Sequence, residues 1–162
     1  MTDKIITQEY LQTIFEYKDG ELYWNVKRSG IQKGDMAGCI DTKGYKRIRL
    51  NGKKLLNHRI IFLMHKGFLP KILDHINYNK LDNKIENLRP ATRSQNGFNK
   101  LLKSNTSGFK NVYWHNQGKK WHVRLRIQGK CYSFGLYDDI YLAGLVAEEA
   151  RNKYHKEFSR HE

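Results

Sequence analysis

The chain has 162 residues, 30 of them lysine or arginine against 16 aspartate or glutamate, for a formal charge of +14 at pH 7. That is enough for one ordinary domain or two small ones. The charge favours a polyanionic partner, nucleic acid before an anionic membrane, because no stretch joins a basic face to a long apolar one.

The hydrophobic fraction, 39%, is modest but aromatic-rich, so a small core is expected rather than general disorder. The two cysteines, Cys39 and Cys131, lie far apart without a CxxC or CxxH neighbour. They give no footing for a disulfide framework or a structural zinc. The N-terminus lacks the apolar run of a secretion signal, and no segment reads as a membrane span. A cytoplasmic, reduced protein is expected.

Residues 6–17 place Tyr10, Leu11, Ile14 and Phe15 on one helical face, with Thr7 able to cap the start. Asp19-Gly20 predicts a turn, and residues 21–26 alternate as a strand would. After the basic link at residues 27–30, residues 44–50 and 53–56 flank Asn51-Gly52, a strong hairpin signal. Tyr45, Arg47 and Arg49 share one face of the first strand, and Lys46, Ile48 and Leu50 the other. Arg47 and Arg49 are candidates for phosphate contact, a solvated face being the alternative.

Asn57 is expected to cap a helix over residues 58–66, with Ile60, Ile61, Leu63 and Met64 on its apolar side and Gly67 and Pro70 ending it. Its histidines, His58 and His65, read as structural or surface residues. The helix is expected to pack behind a strand carrying Asp74 and His75.

Residues 73–89 hold the chemistry. An acid–imidazole pair, Asp74-His75, opens an Asn-rich loop; a strand-like Leu88-Arg89-Pro90-Ala91 follows, then a helix from Thr92 or Ser94 carrying Asn96. Hydrolysing a phosphodiester needs an activated water, positive charge on the non-bridging oxygens and help for the leaving oxygen. The Asp74 carboxylate and the Asn96 amide are oxygen ligands suited to one hard divalent cation, Mg²⁺ or Mn²⁺, with water and phosphate completing its shell. His75 is a sensible base because imidazole titrates near neutrality. On a regular strand Asp74 and His75 point to opposite faces, so the strand must end or twist there. The Asn87 amide can bond the backbone around His75 and aim the imidazole. Each signal alone is weak: an Asp-His pair is more often a surface loop, and a helical Asn is usually exposed or a cap.

The combination is more specific. The run Asp74-His75-Ile76-Asn77-Tyr78-Asn79, then Leu81-Asp82-Asn83-Lys84-Ile85-Glu86-Asn87-Leu88-Arg89-Pro90-Ala91-Thr92, then Gln95-Asn96 and Asn99 closely resembles the HNH (ββα-metal) nucleases, notably phage-type homing endonucleases. The preceding Asn57-His58-Arg59-Ile60-Ile61 is similar to the helix before the motif, and the resemblance covers residues 5–105. It implies His75 as general base, Asp74 and Asn96 as metal ligands, and Asn87 as the central Asn that braces the loop. Many members carry His where Asn96 stands; Asn is the H-N-N variant, which argues against a soft metal. Products with a 5′-phosphate and a 3′-hydroxyl are implied.

Residues 103–108 are a polar composition break, read as a linker. Residues 111–116, 120–127 and 130–135 predict strands, with Gln128-Gly129 as a turn. Residues 141–158 predict an amphipathic helix with Leu142, Leu145, Val146, Ala150 and Tyr154 as its stripe and Asp138 or Asp139 as cap. On the middle strand Trp121, Val123, Leu125 and Ile127 are expected to bury, leaving His122, Arg124 and Arg126 on an open face. Asn111, Tyr113 and His115 join that face from the first strand, Cys131 and Ser133 from the third. Through Ser107-Gly108-Phe109-Lys110-Asn111-Val112-Tyr113-Trp114, Lys120-Trp121, Phe134-Gly135-Leu136-Tyr137-Asp138 and Ala147-Glu148-Glu149-Ala150-Arg151, residues 106–162 resemble the AP2 DNA-binding domain. That implies that the sheet enters the major groove.

The expected architecture is α+β: an HNH module over residues 1–103, a linker over 104–109, and a three-stranded antiparallel sheet plus helix over 110–162. The expected activity is site-directed cutting of double-stranded DNA, with a nick as the simplest product of one centre per chain and a monomer expected over a dimer. DNA contacts are assigned to Arg47, Arg49, Arg89, Arg93, Lys110, Tyr113, His115, His122, Arg124 and Arg126. The contrasting reading is a non-catalytic DNA-binding regulator that uses the HNH fold as a scaffold. A third is RNA binding by stacking on Tyr23, Trp24, Tyr113 and Trp114.

Overall fold

The computed structural model describes residues 6–98 and 105–158. The chain divides into two compact units, Met1–Ala91 and Thr92–Glu162. No helix among the described residues is long and apolar enough to cross a membrane.

In the first unit, helix α1 (Gln8–Ile14) opens on Thr7, whose hydroxyl oxygen accepts the Tyr10 amide at 3.2 Å. The helix is shorter than its periodicity predicts. Phe15 is already extended, and β1 (Phe15–Lys18) pairs antiparallel with β2 (Glu21–Trp24). The cause lies in the turn. Asp19 and Gly20 both take positive φ, 48° and 87°, the conformation whose twist matches a two-residue hairpin. That hairpin takes the four residues before it, and Phe15 still buries, its ring centroid 4.7 Å from that of Trp24.

Strands β3 (Cys39–Ile40), β4 (Lys46–Leu50) and β5 (Lys53–Leu56) form a sheet in that order. Asn51 and Gly52 supply its tight turn at φ 50° and 75°. Ile48 and Leu50 are buried, while Arg49 is exposed on the other face and Arg47 partly so. Helix α2 (Asn57–Lys66) starts one residue earlier than expected, with Leu56 at the cap position and no side-chain cap bond. Asn57 is not the cap. It is fully buried and its amide donates to the Ala37 carbonyl at 3.0 Å. Gly38 makes room for it: at φ 103°, a Cβ there would lie 3.0 Å from Asn57 Oδ1. Gly67, left-handed at φ 73°, closes the helix by returning its amide to the Leu63 carbonyl. Leu11, Phe15, Leu22, Trp24, Leu50, Ile61 and Phe62 belong to the core between these elements.

Strands β6 (Leu73–His75) and β7 (Leu88–Pro90) pair antiparallel, with Asp74 opposite Arg89 and His75 opposite Leu88. A 3₁₀ turn, Ile85–Asn87, ends the loop between them.

The second unit begins with α3 (Arg93–Phe98). Thr92 and Gln95 form a reciprocal box at its start: each backbone amide donates to the other's side-chain oxygen, at 2.7 and 3.2 Å. Strands β8 (Val112–His115), β9 (Lys120–Ile127) and β10 (Lys130–Tyr137) form an antiparallel sheet with β9 central. Residues 105–109, read from sequence as the end of a linker, form a hydrogen-bonded turn in which Ser107 Oγ donates to the Val112 carbonyl at 2.9 Å. Residues 103 and 104 lie outside the described residues.

Helix α4 (Ile140–His155) packs on one sheet face, and Asp139 caps it by accepting the Leu142 amide at 2.6 Å. The face it buries differs from the predicted stripe. Leu142, Leu145 and Tyr154 are 49%, 66% and 42% exposed, whereas Ala143, Gly144, Ala147 and Ala150 are buried. Crowding by the Phe109 side chain explains this. A Cβ at Gly144 would come within 2.6 Å of the Phe109 ring, so only small side chains fit beneath the helix. Of the predicted stripe, Ala150 and Val146 reach the core.

Candidate active site

His75 stands at the end of β6, where the strand gives way to the loop, and it is only 6% exposed. Its Nε2 lies 3.0 Å from Asn83 Oδ1. His58, buried in the first turn of α2, meets it edge-on with ring centroids 4.9 Å apart, and the Tyr45 ring lies 6.2 Å away. Burial holds the His75 pKa below the ordinary imidazole value. The Asn83 bond and the Asp74 and Asp82 charges oppose that shift, and Lys80 adds to it. His58 is pushed down to about 3, by burial first and then by His75 and Arg59. At neutral pH both imidazoles are uncharged.

Asp74 is buried beside His75. Across the ladder, Arg89 places Nε and Nη2 each 3.1 Å from Asp74 Oδ2. Arg89, expected among the DNA contacts, therefore has its guanidinium, 13% exposed, on Asp74. Asn87 ties the loop together. Its Oδ1 accepts the Asn77 amide at 2.9 Å, and its Nδ2 donates to Asn77 Oδ1 at 2.9 Å and to the Asp82 carbonyl at 2.7 Å. The Ile76 amide donates to the Asn87 carbonyl at 2.8 Å. Asn96 is half-buried on α3, in the second unit, and Asn99 lies outside the described residues.

Among the described residues no three His, Cys, Asp or Glu side chains cluster as a metal cage. The two assigned ligand groups are a carboxylate and an amide, without a thiolate, and both cysteines are exposed surface residues. That donor chemistry fits a hard cation that keeps most of its water. The fit belongs to the donor types, and the pairing of Asp74 with Asn96 rests on the resemblance.

Basic side chains occupy two further surfaces. Arg49 and, in part, Arg47 are open on β4. In the second unit, register places Tyr113 opposite His122, Arg124 opposite Ser133 and Arg126 opposite Cys131. The Arg124 guanidinium sits 5.1 Å from the Tyr113 ring centroid, His122 Nε2 lies 2.8 Å from Ser133 Oγ, and the His115 and His122 rings are 5.8 Å apart. Arg124 and Arg126 are exposed, as the alternation predicts. Asn111 is the exception. It precedes β8 in a left-handed conformation, φ 69°, and its carbonyl accepts the Arg124 amide. Lys110 is half-buried, its carbonyl taken by Arg151 at 2.7 Å, and Arg93 is exposed at the start of α3.

Sequence reasoning missed His58 and Asn83 at this site. His58 had a legible signal: it leads the buried i, i+3, i+4 stripe with Ile61 and Phe62. Asn83 had none, because its side chain is buried by contacts distant in sequence.

Residues 56–98 match the family described as HNH endonuclease. The chain is 33% identical over 97 residues to Protein 3.8 of Escherichia phage T7, an alignment covering 58% of this chain and 79% of that protein. It is 42% identical over 67 residues to an uncharacterized HNH endonuclease of Acanthamoeba polyphaga mimivirus, covering 40% of this chain and 36% of that one. No solved structure matches. The family match falls on the stretch from α2 through β6 and β7 to α3, which carries Asp74, His75, Asn87 and Asn96, so the chain contains an HNH-type endonuclease domain related to phage and mimivirus proteins.

Proposed function

We propose that this chain is a metal-dependent, site-directed DNA endonuclease of the homing type, with His75 as general base and a single-strand nick as its simplest product. The observation that carries this is the buried imidazole at the end of β6, its Nε2 3.0 Å from Asn83 Oδ1 and a buried carboxylate next to it along the strand. A neutral imidazole can take a proton from water as the water attacks phosphorus. Asn87 holds the loop closed behind His75, so the ring keeps its orientation while DNA is bound. Asp74 and Asn96 would hold one Mg²⁺ or Mn²⁺. When bound, that ion supplies positive charge for the non-bridging and leaving oxygens. Arg47, Arg49 and Arg93 would lie along phosphates.

Residues 110–162, read as AP2-like, would position the duplex through Lys110, Tyr113, His115, His122, Arg124 and Arg126. Support comes from the three-stranded order with its helix on one face and arginines on the other. The functional division is placed at residues 104–109, after α3, because α3 carries Asn96. One observation favours a second reading, a non-catalytic DNA-binding regulator: Arg89 partly neutralises the Asp74 carboxylate.

Supercoiled plasmid separates the two. Incubated with Mg²⁺, Mn²⁺ or EDTA, the wild-type chain is expected to nick only with metal. His75→Ala is expected to bind equally well and cut about 10²- to 10⁴-fold more slowly. Cutting by that variant at the wild-type rate would remove His75 as base. A wild-type chain that binds DNA but cuts with neither ion would favour the regulator.

A further inference from the structure

We infer that Asn83, braced by the tip of the N-terminal β1–β2 hairpin, is the positioning residue that selects which nitrogen of His75 faces the substrate. The inference rests on the reading of His75 as base. An amide oxygen 3.0 Å from Nε2 requires the ring hydrogen there, which leaves the lone pair on Nδ1. The basic nitrogen is then Nδ1, and the opposite tautomer would present a donor where an acceptor is needed.

Asn83 is built to hold that bond. It is 1% exposed, among the most buried polar residues described. The short run from Asn83 to Ile85 meets, at three points, a part of the chain outside the stretch matched to the family. A Cβ on Gly20, at the hairpin tip, would lie 3.0 Å from the Lys84 amide nitrogen and 3.3 Å from the Asn83 carbonyl carbon. The Ile85 amide donates to Tyr17 Oη at 3.2 Å. Lys84 Nζ pairs with Asp19 Oδ1 at 2.9 Å. A glycine at φ 87° lets the turn approach this closely. The turn that makes β1 a strand thus also seats the loop under the imidazole. Asn87 does a different task, tying the loop to itself between residues 77 and 82.

The His75 tautomer can be read in the full chain, without DNA, by long-range proton–nitrogen correlation NMR at pH 7.5. The wild type is expected to carry its hydrogen on Nε2. Asn83→Asp keeps an oxygen in place and is expected to keep that tautomer. Asn83→Leu removes the acceptor and is expected to lose it, with plasmid nicking slowed about tenfold or more in kcat and little change in KM. Tyr17→Phe removes only the Ile85 bond. It is expected to stay folded, shift the His75 ring signals and slow nicking several-fold, which keeps the test open should Asn83→Leu fail to fold.

A wild-type hydrogen on Nδ1, or a folded Asn83→Leu with the wild-type tautomer, would overturn the assignment. Tyr17→Phe with unmoved His75 signals would overturn the hairpin's part. Full-rate cutting by His75→Ala would instead strike the base assignment, leaving the tautomer result intact.

Discussion

His58 and His75 meet edge-on, and burial lowers the pKa of both, favouring their neutral forms. For His58 the consequence is a dependence of stability on pH. Its folded pKa, about 3, lies below the unfolded value near 6.5. Above pH 6.5 neither state binds the proton, so the full stability is present. Below it the unfolded chain takes up a proton that the folded chain refuses, and stability is lost as pH falls towards 3. At roughly 1.4 kcal/mol per pH unit, moving from pH 7.5 to pH 5 is expected to cost about 2 kcal/mol from His58 alone. Urea unfolding at the two values measures it. His75 and His155 are shifted the same way and steepen the slope. A His58→Gln chain that kept the wild-type slope would show that His58 titrates normally.

Helix α4 shows how an element can be recognised correctly and its orientation misjudged. Periodicity located it and Asp139 capped it, but its larger apolar side chains point outward while small residues face the sheet and the Phe109 ring. Gly144 is the contact point. Alanine there gains roughly 1 kcal/mol of helix propensity. It also places a Cβ 2.6 Å from a Phe109 ring carbon, and overpacking typically costs about 1–3 kcal/mol. The clash should win, so Gly144→Ala is expected to lower the melting temperature. Leu145→Gln, on the open side, should move it little. A stabilised Gly144→Ala chain would mean that Phe109 yields freely.

At the scale of the molecule, the formal charge of +14 sets how DNA is held. Affinity should fall steeply with salt, because bound phosphates release counterions. Arg124→Ala and Arg126→Ala are each expected to weaken duplex binding and reduce the salt slope by about one. Slopes unchanged in both, measured by fluorescence anisotropy across a salt series, would remove the β9 face from the DNA contacts.

Much of the plan was legible in neighbouring residues. Asn51-Gly52 and Gln128-Gly129 take the left-handed conformations that two-residue turns need. Alternation along β9 buries Val123 and Leu125 and exposes Arg124 and Arg126. The spacing of Asp74, His75 and Asn87 places a loop between two paired strands. These are local matters, settled by backbone preference and by periods of two or 3.6 residues.

Three features were not local. Phe15 left its helix because residues 21–24 offered a strand partner through a tight turn. The buried face of α4 follows its clearance from Phe109, and the loop carrying Asn83 meets the distant hairpin at Gly20 and Tyr17. Sequence by itself located most of the segments and singled out the residues proposed to carry the chemistry. Tertiary structure alone decided which face of α4 is buried and that Asn83 meets Nε2 of His75, because both depend on how segments separated along the chain pack together.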